Sequence, residues 1–269
     1  MRDYGHVPGG KNELKQLLYP FYNSYPKKFW SKFRWFLNSR LKYFLEILSL
    51  SSFTLTIINR LGAPGDTLIT ANVIYCIKKK YPKIRINIIT PFQELIKFDP
   101  NISSINSRET FFSFDSSYVD LIRKKEAKEN IISHNLSRLG IKEYEYKARY
   151  YIHEEEILYG RDSIKSFNLP IITICTRSKE PVKNWATSSW INLINKLSEK
   201  FIVIQLGDGS EPRFDKVIRL AGKLSMRESA AIVQHSKLFI GPDSLLMHIA
   251  NGLGIKSIII FGGSRPVPS

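Results

Sequence analysis

The sequence predicts an α/β protein built from two parallel-sheet blocks, and three observations carry that expectation. Between residues 53 and 90, and again between 171 and 262, short continuous apolar runs alternate with longer amphipathic ones. The apolar runs show no polar face, so helices are expected on both sides of each sheet. The polar residues that interrupt this background gather where a strand passes into a helix, the end at which open parallel sheets bind ligands.

Taken in order, residues 1–52 stand apart, because "LYPFYNSYPKKFWSKFRWFLNSRLKYFLEIL" crowds aromatics among lysines and arginines. On a helical wheel from Lys27, Phe29, Trp30, Phe33, Phe36, Leu37, Leu41, Phe44 and Leu48 share one arc, while Lys28, Lys32, Arg34 and Lys42 lie outside it. Residues 27–48 therefore read as a basic amphipathic helix, suited to an anionic membrane interface or to packing on the body of the protein. "FTLTIIN" (53–59) reads as a buried strand, 66–82 as a helix ended by Pro82, and "IRINIIT" (84–90) as a second strand, which completes one βαβ unit. Pieces around 101–106, 116–133 and 145–152 carry no clear period, and "YIHEEEILYGRDSIKSFNLP" (151–170) reads as a charged connector.

Alternation resumes with strands at 171–176, 201–206, 237–241 and 257–262, separated by helices at 187–200, 225–236 and 244–253. The expected organisation is an N-terminal segment 1–52, a first domain 53–160 and a second domain 161–269.

The totals set limits. The chain has 269 residues, 43% of them hydrophobic, enough for real cores. Cys76 and Cys175 fit neither a disulfide framework nor a metal spacing and sit in apolar runs, which fits a reducing, cytoplasmic setting. No run of eighteen apolar residues and no signal-peptide pattern is present. A formal charge of +16 points to an anionic partner: a phosphorylated substrate, an anionic membrane surface or a nucleic acid.

Three loops collect the chemistry. "RLGAPGD" (60–66) follows the first strand; Gly62 and Gly65 allow a tight turn, and Asp66 opens the helix, as an N-cap or as a functional acid. Its spacing is neither the dinucleotide fingerprint nor a P-loop. "CTRSKEPVKNW" (175–185) brings Thr176, Arg177, Lys179 and Lys183 beyond a strand end, where cations would meet phosphate oxygens. "IGPDSLLMH" (240–248) places Asp243 and Ser244 at a helix N-terminus, an anion-favouring position, with His248 one turn on.

Together these stretches resemble a family. "IINRLGAPGDTLITANVIYCIKKKYP", "KNWATSSWINLINKL" and "FIGPDSLLMHIANGLGIKSIIIFGG" look like the Gly-Asp turn, the Lys-x-Trp segment and the Asp-[Ser/Thr]-x-x-x-His element of glycosyltransferase family 9, the heptosyltransferases. The resemblance implies a GT-B fold of two Rossmann-like domains with a cleft between them. It also implies inverting transfer of heptose from ADP-heptose to a glycan or lipopolysaccharide-type acceptor. It makes Asp66 the general base, Thr176, Arg177 and Lys183 donor ligands, and Asp243, Ser244 and His248 parts of the donor site. The nucleotide sugar is then a substrate, with no cofactor, no metal and no nucleic-acid partner expected, and the enzyme would work in the cytoplasm, peripheral on the inner membrane. This chain departs from the family pattern in having Leu245 after Asp-Ser and "FGGSRPVPS" at its end, which leads to the expectation of an incomplete second domain. Two other readings fit the same residues: a nucleic-acid-binding protein using the basic aromatic N-terminus, or an inactive relative that only binds a sugar nucleotide.

Overall fold

The structure is a computed structural model and describes residues 53–59, 63–110, 112–116 and 129–262, together with Leu41 and Leu45. The predicted helix at 27–48 lies outside the described residues except for those two leucines, which are helical and buried.

The chain divides into two compact units, one of residues 1–93 and 100–146, the other of 94–99 and 147–269. In the first, β1 (Thr54–Ile58), β2 (Arg85–Ile89), β3 (Ser104–Ile105) and β4 (Ser113–Asp115) form a parallel sheet in the order β3-β2-β1-β4. Helix α1 (Pro64–Lys80) connects β1 to β2, and α2 (Ile131–Arg138) follows β4. The register runs from Thr54 opposite Arg85 to Ile58 opposite Ile89, so both central strands end level, at Asn59 and Thr90. Leu55, Ile57, Ile86 and Ile88 of the sheet and Leu68, Ala71, Ile74 and Ile77 of α1 are all buried. Each such aliphatic side chain contributes about 1.5–3 kcal/mol of burial.

Helix α1 begins two residues earlier than the sequence predicts. Pro64 takes the first helical position, where its fixed φ is favourable and its missing N–H costs nothing, and Ala63 is the N-cap. Gly65 is therefore inside the first turn of the helix and not in a tight turn, and Gly62 lies outside the described residues. Lys78, Lys79 and Lys80 suit the negative end of the helix dipole, and Pro82 prevents its continuation.

The second unit holds β5 (Ile171–Ile174), α4 (Thr187–Leu197), β6 (Ile202–Gln205), β7 (Ile218–Arg219), α5 (Met226–Gln234), β8 (Leu238–Pro242), α6 (Leu245–Leu253) and β9 (Ser257–Ile260), preceded by α3 (Glu154–Ile164). Its five strands are parallel, in the order β7-β6-β5-β8-β9. Ile172, Ile174, Trp190, Ile194, Val203 and Ile240 form its core. Cys76 and Cys175 form no disulfide and are buried, as the sequence predicts. Ser225 and Glu228 cap α5 reciprocally, and Gly254, at φ 75°, ends α6 in the left-handed conformation that glycine adopts without cost.

The predicted connector at 151–170 and the predicted boundary at 160 are corrected by α3. Glu154, Glu155 and Glu156 occupy its first turn, where the dipole favours acids, so a charged run that reads as a linker is a helix start. Gly160 lets α3 lie directly on α5, since a Cβ there would fall 2.3 Å from the Ala231 carbonyl oxygen. The helix belongs to the second unit, whose longer stretch begins at residue 147. Elements β3, β4, β7 and α2 are too short to leave a period in the sequence. No described helix is long and apolar enough to cross a membrane.

Candidate active site

In the second unit, β8 delivers Asp243 and Ser244 to the start of α6. Ser244 is the N-cap, with extended backbone (φ −154°, ψ 178°), yet its side chain makes no capping hydrogen bond. Apart from a weak approach of the Cys175 thiol, its hydroxyl oxygen is buried and without a hydrogen-bond partner. A buried hydroxyl left unpaired costs about 1–3 kcal/mol, so a ligand that engages it recovers that cost. The helix dipole adds partial positive charge at the same point.

Lys183 reaches this end from the loop after β5. Its Nζ lies 2.9 Å from Asp243 Oδ2 and 3.5 Å from Glu180 Oε1. Burial works against the ammonium, but the two carboxylates outweigh it and hold its pKa above the ordinary lysine value, so Lys183 stays a cation. His248 responds in the opposite direction: burial, reinforced by the Lys183 charge and opposed by Asp243, lowers its pKa, and the ring is held neutral. Lys183, Asp243, Ser244 and His248 thus lie together at this end of the second unit.

Thr176 and Arg177 belong to a neighbouring arrangement whose centre sequence reasoning missed. Glu211 is 5% exposed, and its carboxylate accepts from the Thr176 N–H at 2.8 Å, from the Thr176 hydroxyl and from the Arg177 N–H at 3.1 Å. The Arg177 guanidinium is turned to the Ser210 carbonyl at 2.9 Å. Arg219 holds the Glu211 loop through the carbonyls of Gly209 and Glu211, and Gly207, at φ +127°, turns the chain into it. The available signal was "GDGSEP" (207–212), an acid in a glycine turn just past β6, which is also a strand-to-ligand-end loop.

Asp66 lies in the first unit, in the first turn of α1 beyond β1, and is 8% exposed. It is not the N-cap, since Ala63 holds that position and accepts from the Asp66 N–H at 3.2 Å. Around it the strand ends are joined by uncharged groups. The Asn59 amide donates to Thr67 Oγ1 at 2.9 Å, Thr67 pairs with Thr90 at 3.2 Å, and Thr70 pairs with Ser116 at 3.0 Å.

With these clusters in place, the sequence model described as glycosyltransferase family 9 (heptosyltransferase) matches residues 116–268. The chain belongs to glycosyltransferase family 9. The matched span contains every candidate donor-side residue of this family member and does not include Asp66. Among solved structures, a family 9 transferase from Veillonella parvula is 16% identical, with 79% of this chain and 82% of that one covered and a TM-score of 0.65. The E. coli ADP-heptose lipopolysaccharide heptosyltransferase II is 14% identical over 80% and 86%, with a TM-score of 0.57. The dodecameric iron-containing heptosyltransferase TibC of enterotoxigenic E. coli, in complex with ADP-D-beta-D-heptose, is 18% identical over 80% of this chain and 60% of that one, with a TM-score of 0.62. At these identities the likeness carries the fold, two Rossmann-like α/β units. No curated protein matches the chain.

Proposed function

We propose that this family 9 glycosyltransferase is an inverting, metal-independent enzyme that moves a heptose-like sugar from ADP-heptose to a glycan or lipopolysaccharide-type acceptor. The observation that carries the reading is the buried Ser244 hydroxyl at the start of α6, met only weakly by the Cys175 thiol, beside a lysine kept cationic by Asp243 and Glu180. Hydroxyl, ammonium and helix N-terminus together are what a diphosphate requires. Support also comes from the TibC structure, which holds ADP-D-beta-D-heptose.

In the reaction the acceptor oxygen attacks the anomeric carbon as its proton passes to the Asp66 carboxylate. The bond from that carbon to the diphosphate oxygen breaks, and the electron pair leaves with the nucleotide. Asp66 supplies general-base assistance, and Lys183 with the N-terminus of α6 stabilises the charge that develops on the departing diphosphate. Glu211 keeps the Thr176–Arg177 turn in place beside them. Residues 27–48 would rest on the anionic cytoplasmic face of the inner membrane, close to a lipid-linked acceptor.

Calorimetry and thermal shift with ADP and ADP-heptose test the reading. A ligand at a hundred times its Kd should stabilise the protein by about 2.7 kcal/mol. A wild-type protein that ignores every nucleotide sugar offered would end the donor assignment.

A further inference from the structure

The chain passes between the two units three times, after residue 93, after 99 and after 146. Both stretches that enter the second unit there, 94–99 and 147–156, converge on one side chain. Arg227 of α5 is 5% exposed. Its Nη1 donates to the Glu94 carbonyl at 2.9 Å and its Nη2 to the Tyr151 carbonyl at 2.9 Å. Nε and Nη2 each donate to the Glu156 carboxylate at 2.5 Å. The guanidinium also lies over the rings of Phe98 and Tyr150, at 4.7 and 5.0 Å from their centroids. Four of its five N–H donors are thereby used, and both flat faces are open to stacking. Phe98 stacks in turn on His153, with centroids 4.7 Å apart, which ties the first stretch to the second.

Nothing in the donor chemistry calls for this arrangement, and a helix–helix contact alone would not need a buried cation aimed at two main-chain carbonyls. We infer that Arg227 is a positioning residue that fastens both stretches, 94–99 and 147–156, to the rest of the second unit. The fork geometry is essential: a lysine has one nitrogen and cannot serve two carbonyls, a bidentate carboxylate and two ring faces at once.

Limited chymotrypsin digestion of the full chain reads the fastening directly, because Phe98, Tyr150 and Tyr151 lie in the fastened stretches, and Tyr144 and Tyr146, on the other side of the last crossing, are controls whose rings are exposed as that of Phe98 is. In Arg227→Met and Arg227→Lys, cleavage after Phe98 and after Tyr150 or Tyr151 should quicken about tenfold or more, with the Tyr144 and Tyr146 cuts unchanged. The double variant Arg227→Met/Glu156→Met removes the stranded carboxylate and should show the same two new cuts with a melting temperature near wild type. Wild-type cleavage rates at both stretches in the double variant, or general degradation of the second unit in all three variants, would overturn the inference. Affinity for ADP should stay within about threefold, and a larger loss would place Arg227 in the donor site instead. If the wild-type protein binds no ADP, the donor reading falls, and the digestion still decides the fastening.

Discussion

In the first unit the ends of β1 and β2 are joined by uncharged hydroxyls and amides, Asn59, Thr67 and Thr90, whereas the corresponding end of the second carries paired charges and a buried acid, Lys183 with Asp243 and Glu211 on two amides. Asp66 is buried in the first unit, where Glu109 and Asp115 each also hold a buried carboxylate oxygen. Asp66 is buried near this neutral network. A charged end is built to receive another charge. On the proposed reading, the same parallel-sheet architecture serves proton transfer in one unit and anion binding in the other.

The largest effect should come from removing the Asp66 carboxylate. Asp66→Asn keeps the shape and should lower the transfer rate on the order of 100-fold or more, the scale of a positioned general base, while melting temperature and ADP affinity hold. Full turnover in that variant would erase the distinction between the units. Next comes the charged end: Lys183→Ala should weaken ADP about 10–100-fold, the worth of a charge-assisted hydrogen bond together with an Asp243 left unneutralised beside the diphosphate. Titration calorimetry measures it, and an unchanged Kd would leave Lys183 with no role beyond its ion pairs.

The two regions also differed in how much the sequence disclosed. The second unit was legible because strands such as "IITI" and "FIVIQ" are continuous apolar runs between helices of clear period, and "GPDS" announces a helix start. The cluster of Lys183, Asp243, Ser244 and His248 could be read for the same reason, each residue lying at the expected end of a strand. Glu211 could not, since its role depends on a turn that folds back onto residues 35 positions earlier. In the first unit, β3 and β4 are two and three residues long and carry polar residues such as Ser104 and Ser113, which hides them. Helix α3 was missed because an acidic first turn looks like a solvated linker until its dipole is considered.

A smaller effect would sharpen the contrast within the neutral network. Thr67 accepts from Asn59, so Thr67→Val removes an acceptor from a buried amide and should cost about 1–3 kcal/mol. Thr173→Val in the second unit should cost less, because Ser236, its partner at 3.0 Å, keeps its own bond to the Val233 carbonyl at 2.6 Å. Melting temperatures of the two variants rank them, and equal losses would mean that the first unit's network contributes no more than an ordinary core hydroxyl.

The smallest effect concerns His248 and is read through pH. Burial lowers its folded-state pKa below the ordinary histidine value of 6.5, with Lys183 acting in the same direction and Asp243 against it. The unfolded chain takes up a proton as pH falls through about 6.5, while the folded chain resists doing so. Below that point the unfolded state binds more protons, so His248 makes stability fall with falling pH and contributes no slope well above it. The slope from one such group is at most about 1.4 kcal/mol per pH unit. His248→Gln, which cannot titrate, should therefore melt with a flatter profile between pH 7 and 5 than the wild-type protein and with a parallel one from 7.5 to 8.5. Bound ADP brings negative charge to the same helix end and should raise the ring's pKa, so the difference between the two profiles should shrink when ADP is saturating. Identical profiles without ligand would show that the ring is not held neutral, and that the Lys183–Asp243 end of the second unit does not set the protonation of its neighbour.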